Sequence, residues 1–291
     1  MEQTVCLLCG VQDERPLLRR AQPRHVVCRR CGLVYQNPRP TLAEISAYYL
    51  QGYWEDRGAV ASGDEQPISD ASIERGRAIV GWTQSFVSQG DLAVEIGCGH
   101  GEILAYVRDE LGCQALGVEP SRSQAAAAAQ RFGLNMQQTD LDGVALPGPP
   151  AKLLVLSHVL EHFHDPRAAL ARCRELLVEE GWVFIEVPNI LNPHPRKRLS
   201  TWLAVEHMYY YSATTLGRLL TEAGFRVTQS DSKSYVRVLA QKTAAPAPDS
   251  TGKNAPDNEY RRVLRALLRH DLVYWPRYAI RRAAGALGWP S

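Results

Sequence analysis

Short apolar runs alternate with amphipathic stretches through the middle of the chain. From residue 91 the runs are LAVEI, QALGVE, LNMQQ, KLLVLS and WVFIEV, and the segments between them space their apolar residues as helices do. This order of strand, helix and strand predicts a parallel, doubly wound α/β sheet. Ser212 caps a further predicted helix that ends at Gly224, and the runs FRVTQS and YVRVLAQ predict two closing strands.

The segments on either side of this core predict the domain organisation. Thr41 and Glu44 form a capping box that starts a short helix, and a polar, glycine-rich connection over 56–69 leads to a predicted helix over 70–88. Proline, alanine and aspartate dominate the last linker, as is typical of an extended connection. The predicted units are an N-terminal unit over 1–40, a helical lid or linker over 41–69, an α/β domain over 70–242, a linker over 243–258 and a tail over 259–291. Tyr53 and Trp54 either belong to a lid or pack in the core.

Composition places the chain among ordinary globular proteins. Of its 291 residues, 45% are hydrophobic and 22% are charged, and no run of about 18 apolar residues is free of charge. The first residues lack the basic and apolar regions of a secretory signal. We therefore expect a cytoplasmic protein that does not span a membrane.

Charge is unevenly distributed behind a net value of +2. Residues 1–40 sum to +4, residues 259–291 to +5 and the residues between them to −7. An acidic middle excludes a broad nucleic-acid platform there, so nucleic acid is not an expected partner. The tail spaces its apolar residues as a helix does, among arginines, and Pro276 is expected to interrupt any long amphipathic stripe. It either lies on an anionic membrane, docks a protein partner or packs on its own domain.

Four of the seven cysteines form two C-x-x-C pairs separated by eighteen residues. The pairs are Cys6 with Cys9 and Cys28 with Cys31. This spacing is typical of a four-thiolate zinc site, because a two-residue gap lets both thiolates reach one tetrahedral ion. A glycine after each pair permits the tight turn. We predict a structural zinc ion, and the alternative is two buried apolar pairs.

Glycines cluster where the first strand of the α/β domain ends. Gly97, Gly99 and Gly101 allow the backbone to approach a ligand closely at the carboxyl edge of the sheet. Glu119 closes the next strand, where a carboxylate can accept hydrogen bonds from ribose hydroxyls. The pattern E-x-G-x-G-x-G, with Glu95 inside the strand, differs from the dinucleotide fingerprint. A ribose-bearing cofactor is the predicted ligand.

The glycine loop resembles that of the class I methyltransferase family. The resemblance implies a Rossmann-like sheet of seven strands, the last antiparallel, and S-adenosylmethionine as cofactor. It implies that the loop wraps the methionine part, Glu119 holds the ribose and Asp140 reaches the adenine. Asp142 competes for that last role, and Asp140 could instead be a residue of a surface turn. The cofactor-site residues that follow are Glu95, Gly97, Gly99, Gly101, Glu119, Asp140, Leu141 and Ser157.

Further blocks resemble the small-molecule branch of this family. They are LLVLSHVLEHFHDP, GWVFIEVPN and EHMYYYSATTLGRLLTEAGF, and together the matches cover about residues 70–240. The front end, CLLCG…CRRCGLVYQNPRPTLAEISAYY, resembles the zinc-binding leader of many bacterial members, including deoxysugar C-methyltransferases. Those enzymes are longer and have a second large C-terminal domain, which this protein is expected to lack. The resemblance implies a sugar or glycan-linked intermediate as methyl acceptor.

Residues that could remove a proton fall in two blocks beside the predicted carboxyl edge. They are His158, Glu161, His162 and His164 in the first block, and Glu206, His207 and the tyrosines at 209–211 in the second. The N/D-P-P-aromatic motif of amine-methylating relatives is absent at Ser157 to Leu160, which leaves oxygen or carbon as the acceptor atom. Glu206 and His207 match the Glu-His pair of the H-E-H-F-x-Y-F-S segment of sugar C-methyltransferases.

An imidazole titrates near working pH and can therefore accept a proton during methyl transfer. We predict His207 as the base with Glu206 beside it, and His162 as the reserve candidate. Val205 and Met208 depart from the pattern of the sugar enzymes, and a structural or orienting role for His207 stays open.

Taken together, the sequence predicts a zinc-bearing, S-adenosylmethionine-dependent methyltransferase for a hydroxyl or activated carbon of a small molecule. An RNA-binding methyltransferase or adaptor that grips RNA with the zinc unit is one alternative, and it predicts strong salt-dependent RNA binding. A scaffold that keeps only the fold is another, and it predicts no cofactor binding.

Overall fold

A computed structural model describes residues 1–18, 24–51, 68–244 and 258–286. The predicted lid residues Tyr53 and Trp54 and most of both predicted linkers lie outside this part of the chain. The strands are β1 (Glu14–Pro16), β2 (His25–Cys28), β3 (Val34–Gln36), β4 (Leu92–Ile96), β5 (Gln114–Val118), β6 (Asn135–Gln137), β7 (Ala151–Ser157), β8 (Leu177–Pro188), β9 (Tyr209–Tyr210), β10 (Phe225–Asp231) and β11 (Tyr235–Lys242). The helices are α1 (Leu42–Gln51), α2 (Asp70–Thr83), α3 (Glu102–Leu111), α4 (Arg122–Phe132), α5 (Pro166–Leu176), α6 (Leu199–Trp202), α7 (Ala213–Glu222) and α8 (Glu259–Ala286), with a 3₁₀ turn at Leu160–His162.

A mixed sheet of seven strands forms the centre of the molecule, in the order β10-β11-β8-β7-β4-β5-β6. Strands β8, β7, β4, β5 and β6 pair in parallel, and β11 runs antiparallel to both of its neighbours. The Rossmann-like α/β fold and the antiparallel last strand are therefore confirmed. Because the parallel strands end at one edge, the loops after β4, β5, β7 and β8 meet there.

Helix boundaries follow local signals in most places. Thr41 Oγ1 accepts a bond from the Glu44 amide at 3.3 Å, and the Glu44 carboxylate accepts one from the Thr41 amide at 2.8 Å, which confirms the capping box. Ser212 caps α7 in the same reciprocal way with Thr215. The helix predicted over 70–88 is shorter, since it ends at Thr83. The Thr83 hydroxyl donates to the Ile79 carbonyl at 2.7 Å, inside the last turn.

The N-terminal unit is attached to the α/β core through a second sheet. Its strands β1, β2 and β3 form an antiparallel sheet that is completed by β9, where Val34 pairs with Tyr210 and Tyr35 with Tyr209. Cys6 and Leu8 belong to the same hydrophobic core as the strands of the large sheet. The N-terminal unit therefore packs on the α/β domain along an extensive apolar contact.

Helix α8 packs on its own chain through one face. Val263 and Leu267 are buried against Ile190, Leu199 and Tyr210 in one apolar cluster. The helix continues through Pro276. Pro276 is exposed, so water can satisfy the carbonyl that loses its partner.

The opposite side of α8 leaves Leu268, Leu272 and Trp275 exposed. A membrane or protein contact through that side stays a prediction. Among the described residues, no helix combines the length and apolar character that crossing a bilayer requires.

Candidate functional site

The glycine loop lies between the end of β4 and the start of α3, as predicted. Gly97, Gly99 and Gly101 have φ values of 65°, 54° and 76°, a region that glycine enters without strain. A Cβ on Gly97 would lie 2.7 Å from Val159 Cγ2, and one on Gly101 would lie 2.5 Å from Leu134 Cδ1. At Gly99 the nearest atom is Gln124 Oε1 at 3.2 Å. Gly97 and Gly101 thus allow the loop to pack tightly against neighbouring side chains, whereas Gly99 lies in its more open part. We call the surface formed by Gly97, Gly99 and Gly101 the cradle.

Glu119 reaches into this cradle from the end of β5. Its carboxylate accepts one hydrogen bond from the Gly99 amide at 3.0 Å and another from the Ser121 amide at 2.9 Å. Burial raises the pKa of Glu119, and the two amides act against that rise. A carboxylate has about four lone-pair sites, so the remaining ones can accept ribose hydroxyls. The cradle and this acid fit an adenosyl cofactor.

The other residues assigned to the cofactor lie at or near the same edge. Glu95 is fully buried inside β4, and burial raises its pKa to about 8 despite a bond from the Leu104 amide. Asp140 is exposed and its carboxylate accepts a bond from the Gly143 amide at 3.1 Å, so it forms a turn beside buried Leu141. Ser157 ends β7. Their roles toward a cofactor stay predictions.

A buried ion network connects the ends of β7 and β8. Glu186 is fully buried, and its Oε1 lies 2.7 Å from Arg75 Nε and 3.1 Å from His158 Nε2. Arg237 binds the other oxygen of the same carboxylate. Burial opposes ionisation, but these cations lower the pKa of Glu186 to about 2. An ionised carboxylate therefore orders three cationic side chains beside the predicted cofactor edge.

His158 connects this network to a second buried acid. Its φ of 57° is unusual for a residue other than glycine and turns the side chain between two glutamates. The Nδ1 atom lies 3.3 Å from Glu161 Oε1, opposite the contact with Glu186. Burial lowers the pKa of His158, but both carboxylates outweigh it and raise the pKa to about 9. His158 is therefore an imidazolium at neutral pH, and it is not available as a base.

Glu161, His162 and His207 form a compact cluster that joins the two predicted blocks. One carboxylate oxygen and one nitrogen from each ring all lie within 4.8 Å of one another. His162 Nδ1 donates to the Glu206 carbonyl at 3.0 Å, which leaves its Nε2 as the acceptor nitrogen. Glu161 is fully buried, and neither of its oxygens has a hydrogen-bond partner among the described residues.

An acid that the sequence did not pair with His207 lies beside it. His207 lies beside Glu161, whereas its sequence neighbour Glu206 contributes a backbone carbonyl to His162. Burial lowers the pKa of His207 to about 3, although the charge of Glu161 acts in the opposite direction. His207 is therefore neutral, which is the form that can accept a proton.

Sequence reasoning missed the ion network. Arg75 belongs to α2 and Arg237 to β11. Neither residue follows a parallel strand that ends at the carboxyl edge of the sheet, where the glycine loop lies. One signal was available, since Glu186 is a lone acid in the otherwise apolar run WVFIEV. An acid inside a buried strand needs partners of opposite charge.

The four paired cysteines meet in the N-terminal unit as predicted. Their sulfur atoms all lie within 4.8 Å of one another, and Cys6 Sγ is 3.5 Å from Cys31 Sγ. Gly10 and Gly32, at φ values of 65° and 76°, donate to the Cys6 and Cys28 carbonyls and close both turns. Hydrogen bonds from the neighbouring thiols lower the pKa of Cys9. This sulfur set suits a tetrahedral soft ion such as zinc.

Comparison with known proteins agrees with this geometry. A family described as "Methyltransferase domain" matches residues 83–230. The chain is similar to the O-methyltransferase cnsE of Penicillium expansum, with 26% identity over 216 residues that make up 70% of this chain and 75% of that protein. It is similar to the ubiquinone biosynthesis O-methyltransferase of Nitrosospira multiformis, with 24% identity over 50% of this chain and 67% of that protein.

Solved structures share the fold. The 1,6-didemethyltoxoflavin-N1-methyltransferase of Burkholderia thailandensis has a TM-score of 0.54 and 18% identity, over 79% of this chain and 99% of that one. The plantazolicin methyltransferase BpumL also has a TM-score of 0.54, with 12% identity over 68% of this chain and 94% of that one.

The matched residues include the glycine cradle, Glu119 and the loops at the carboxyl edge of the sheet, and they make up half of the chain. The chain belongs to the methyltransferase-domain family. It is an S-adenosylmethionine-dependent methyltransferase with a Rossmann-like sheet.

Replacing Gly99 by aspartate is expected to weaken S-adenosylmethionine binding at least about 100-fold. The new carboxylate would occupy the open side of the cradle and would stand beside buried Glu119, where like charges repel. Calorimetric titration of the wild type and Gly99→Asp with S-adenosylmethionine measures the change. Gly133→Asp is the matched control, since Gly133 also has a positive φ and a Cβ there would meet no atom within 4 Å. Equal cofactor affinity in wild type and Gly99→Asp would show that the cradle lies elsewhere.

Proposed function

We propose that the protein transfers the methyl group of S-adenosylmethionine to a hydroxyl oxygen of a small molecule, a sugar or a glycan-linked intermediate. The similar proteins from Penicillium expansum and Nitrosospira multiformis are both O-methyltransferases, which supports oxygen over carbon. The Glu206-His207 pair supports a sugar-type acceptor through its resemblance to sugar methyltransferases. Carbon as the acceptor atom is the alternative outcome.

The observation that carries this proposal is the cluster of buried Glu161 with half-buried His162 and His207. Methyl transfer to a hydroxyl needs a group that removes the hydroxyl proton and an environment that holds the resulting charge. Neutral His207 is in the form that accepts a proton, and His162 stands beside it with a ring-to-ring distance of 4.7 Å. The bound cofactor supplies an electrophilic methyl group on a sulfonium.

Glu161 offsets part of the effect that burial has on the basicity of His207. Burial penalises the imidazolium and keeps the pKa of His207 near 3 even with the charge of Glu161 acting to raise it. The Glu161 carboxylate stays ionised, since interaction with His158 and the nearby imidazoles outweighs burial and lowers its pKa to about 2. Its negative charge stabilises a proton on either imidazole. We therefore assign proton removal to His207 acting with Glu161, and His162 is the reserve base.

We further propose that the cysteine cluster holds one structural zinc ion. All four ligands come from the protein, so the site is closed and leaves no position for a substrate. Its role is to hold the turns of the N-terminal sheet, which pairs with β9 two residues after His207. The zinc site thus supports the loop that carries the proposed base without taking part in the reaction.

Replacing His207 by glutamine is expected to leave S-adenosylmethionine affinity within about twofold and to lower turnover by about 10²- to 10⁴-fold, the usual contribution of a general base. The measurement is transfer of labelled methyl groups to a panel of sugar and phenol acceptors, with cofactor affinity from calorimetry. His164→Gln is the matched control, since His164 pairs with Glu2 at 3.1 Å outside the cluster. If turnover survives in His207→Gln but is lost in His162→Gln, the base is His162 and not His207.

Two further results would contradict the proposal. The cluster distances would also suit a cation, so two metal ions per chain instead of one would make His207 a ligand and not the base. Salt-dependent RNA binding, combined with methylation of RNA and of no small acceptor, would favour the RNA-binding alternative.

A further inference from the structure

A basic cleft of about 800 Å³ lies between α8 and the loops that follow β8 and β10. Four cationic side chains line it, and none of its described lining residues is an acid. They are Lys233 from the β10–β11 turn and Arg262, Arg265 and Arg269 from α8. Residues 83–230 match the methyltransferase family, and they include the wall of the cleft over 189–195. The other lining residues lie outside that match.

Most of this positive charge is uncompensated among the described residues. Arg262 pairs with buried Glu259 at 2.6 Å. Arg265 and Arg269 are exposed, and no described carboxylate pairs with either. Lys233 lies 3.9 Å from Asp231 and is 89% exposed, so that contact is weak. Two arginines and one lysine are thus available to a ligand.

Both walls of the cleft are held in place without a ligand. Helix α8 is fixed by its buried face, and its start contacts the zinc unit so closely that a Cβ on Gly32 would lie 2.8 Å from the Glu259 backbone. On the facing wall, Asn189 Nδ2 donates to the Ser232 and Lys233 carbonyls at 2.8 and 3.0 Å. Preformed walls lower the entropic cost of binding.

The cleft lies beside the carboxyl end of β8, since Asn189 lines it and directly follows that strand. Asn189 follows β8 and lies three residues after Glu186, which is roughly 10 Å along an extended strand. Glu186 contacts His158, which contacts Glu161 of the proposed catalytic cluster. The cleft thus adjoins the sheet edge that carries the proposed catalytic cluster.

We propose that this cleft binds the phosphate or diphosphate group of the methyl acceptor. Guanidinium groups bind phosphate oxygens through paired, charge-assisted hydrogen bonds, and three uncompensated cations match the charge of a diphosphate. The inference rests on the proposed methyl transfer, because the acceptor is the molecule that must reach both the cleft and the catalytic cluster.

Calorimetry of the metal-loaded protein with inorganic pyrophosphate tests the proposal. The double variant Arg265→Ala/Arg269→Ala is expected to lose at least about tenfold in pyrophosphate affinity, since it removes two guanidinium groups that could form charge-assisted hydrogen bonds with the anion. Arg261→Ala is the matched control, because Arg261 is exposed on the same helix and does not line the cleft. It should bind pyrophosphate within about twofold of the wild type.

Three results would overturn the proposal: no pyrophosphate binding by the wild type, equal loss in Arg261→Ala, or unchanged affinity in the double variant. Binding to phosphatidylglycerol vesicles without binding to pyrophosphate would also overturn it, and would assign the arginines to a membrane surface. S-adenosylmethionine affinity is measured in the same samples. A wild-type protein that does not bind S-adenosylmethionine would contradict the proposed methyl transfer. The pyrophosphate result would still show whether the cleft binds an anion.

Discussion

If the proposed zinc ion is bound, replacing Cys28 by serine is expected to release it and to unfold the N-terminal unit. Structural zinc sites of this kind contribute about 10–16 kcal/mol of apparent binding free energy, which exceeds the total stability of most domains. Serine is a poor ligand for zinc, and Cys28 is completely buried beside the other thiols. Metal content by mass spectrometry and thermal unfolding followed by circular dichroism measure the two effects.

The loss should extend beyond the N-terminal unit. Strand β3 pairs with β9 beside the catalytic cluster, and Gly32 contacts the start of α8. We therefore expect Cys28→Ser to lose methyl transfer as well as stability. Cys113→Ser is the matched control, since Cys113 is buried and lies outside the cysteine cluster. A metal-free Cys28→Ser protein with wild-type stability would show that the zinc ion is not structural.

The large sheet could be predicted because each of its parallel strands can be recognised from residues that are adjacent in the sequence. Each parallel strand is a short apolar run flanked by a helix, and a right-handed crossover permits few arrangements of such units. The glycine loop could be predicted for the same reason, since Gly97, Gly99 and Glu119 follow consecutive strands. Parallel strands then bring these residues to one edge without any need to know the packing.

The catalytic cluster could be predicted only in part because its contacts are not local. Glu161 and His207 are 46 positions apart in the sequence, and a backbone hydrogen bond from the Met208 amide to the Glu161 carbonyl at 2.9 Å joins their segments. The two-residue strand β9 is too short to give a pattern of its own. The sequence therefore indicated both blocks of bases, whereas the contact of Glu161 with His207 required the fold.

Replacing Glu186 by glutamine is expected to destabilise the protein by about 3–5 kcal/mol, the usual cost of removing one partner from a buried ion pair. The amide cannot neutralise Arg75, Arg237 and His158, which would remain in a buried setting. Urea unfolding measures the change in the free energy of unfolding. Glu74→Gln is the control, because Glu74 binds Arg237 from an exposed position and should cost at most about 1 kcal/mol.

The dependence on pH distinguishes this electrostatic loss from a packing defect. The pKa of His158 rises from 6.5 to about 9 in the folded protein, since its two carboxylate partners outweigh burial. A raised folded pKa means that the stabilisation is complete below pH 6.5 and is lost as the pH increases through 9. The stability difference between wild type and Glu186→Gln should therefore shrink between pH 6.5 and 9.5. A difference that stays constant over this range would show that Glu186 acts through its shape and not through its charge.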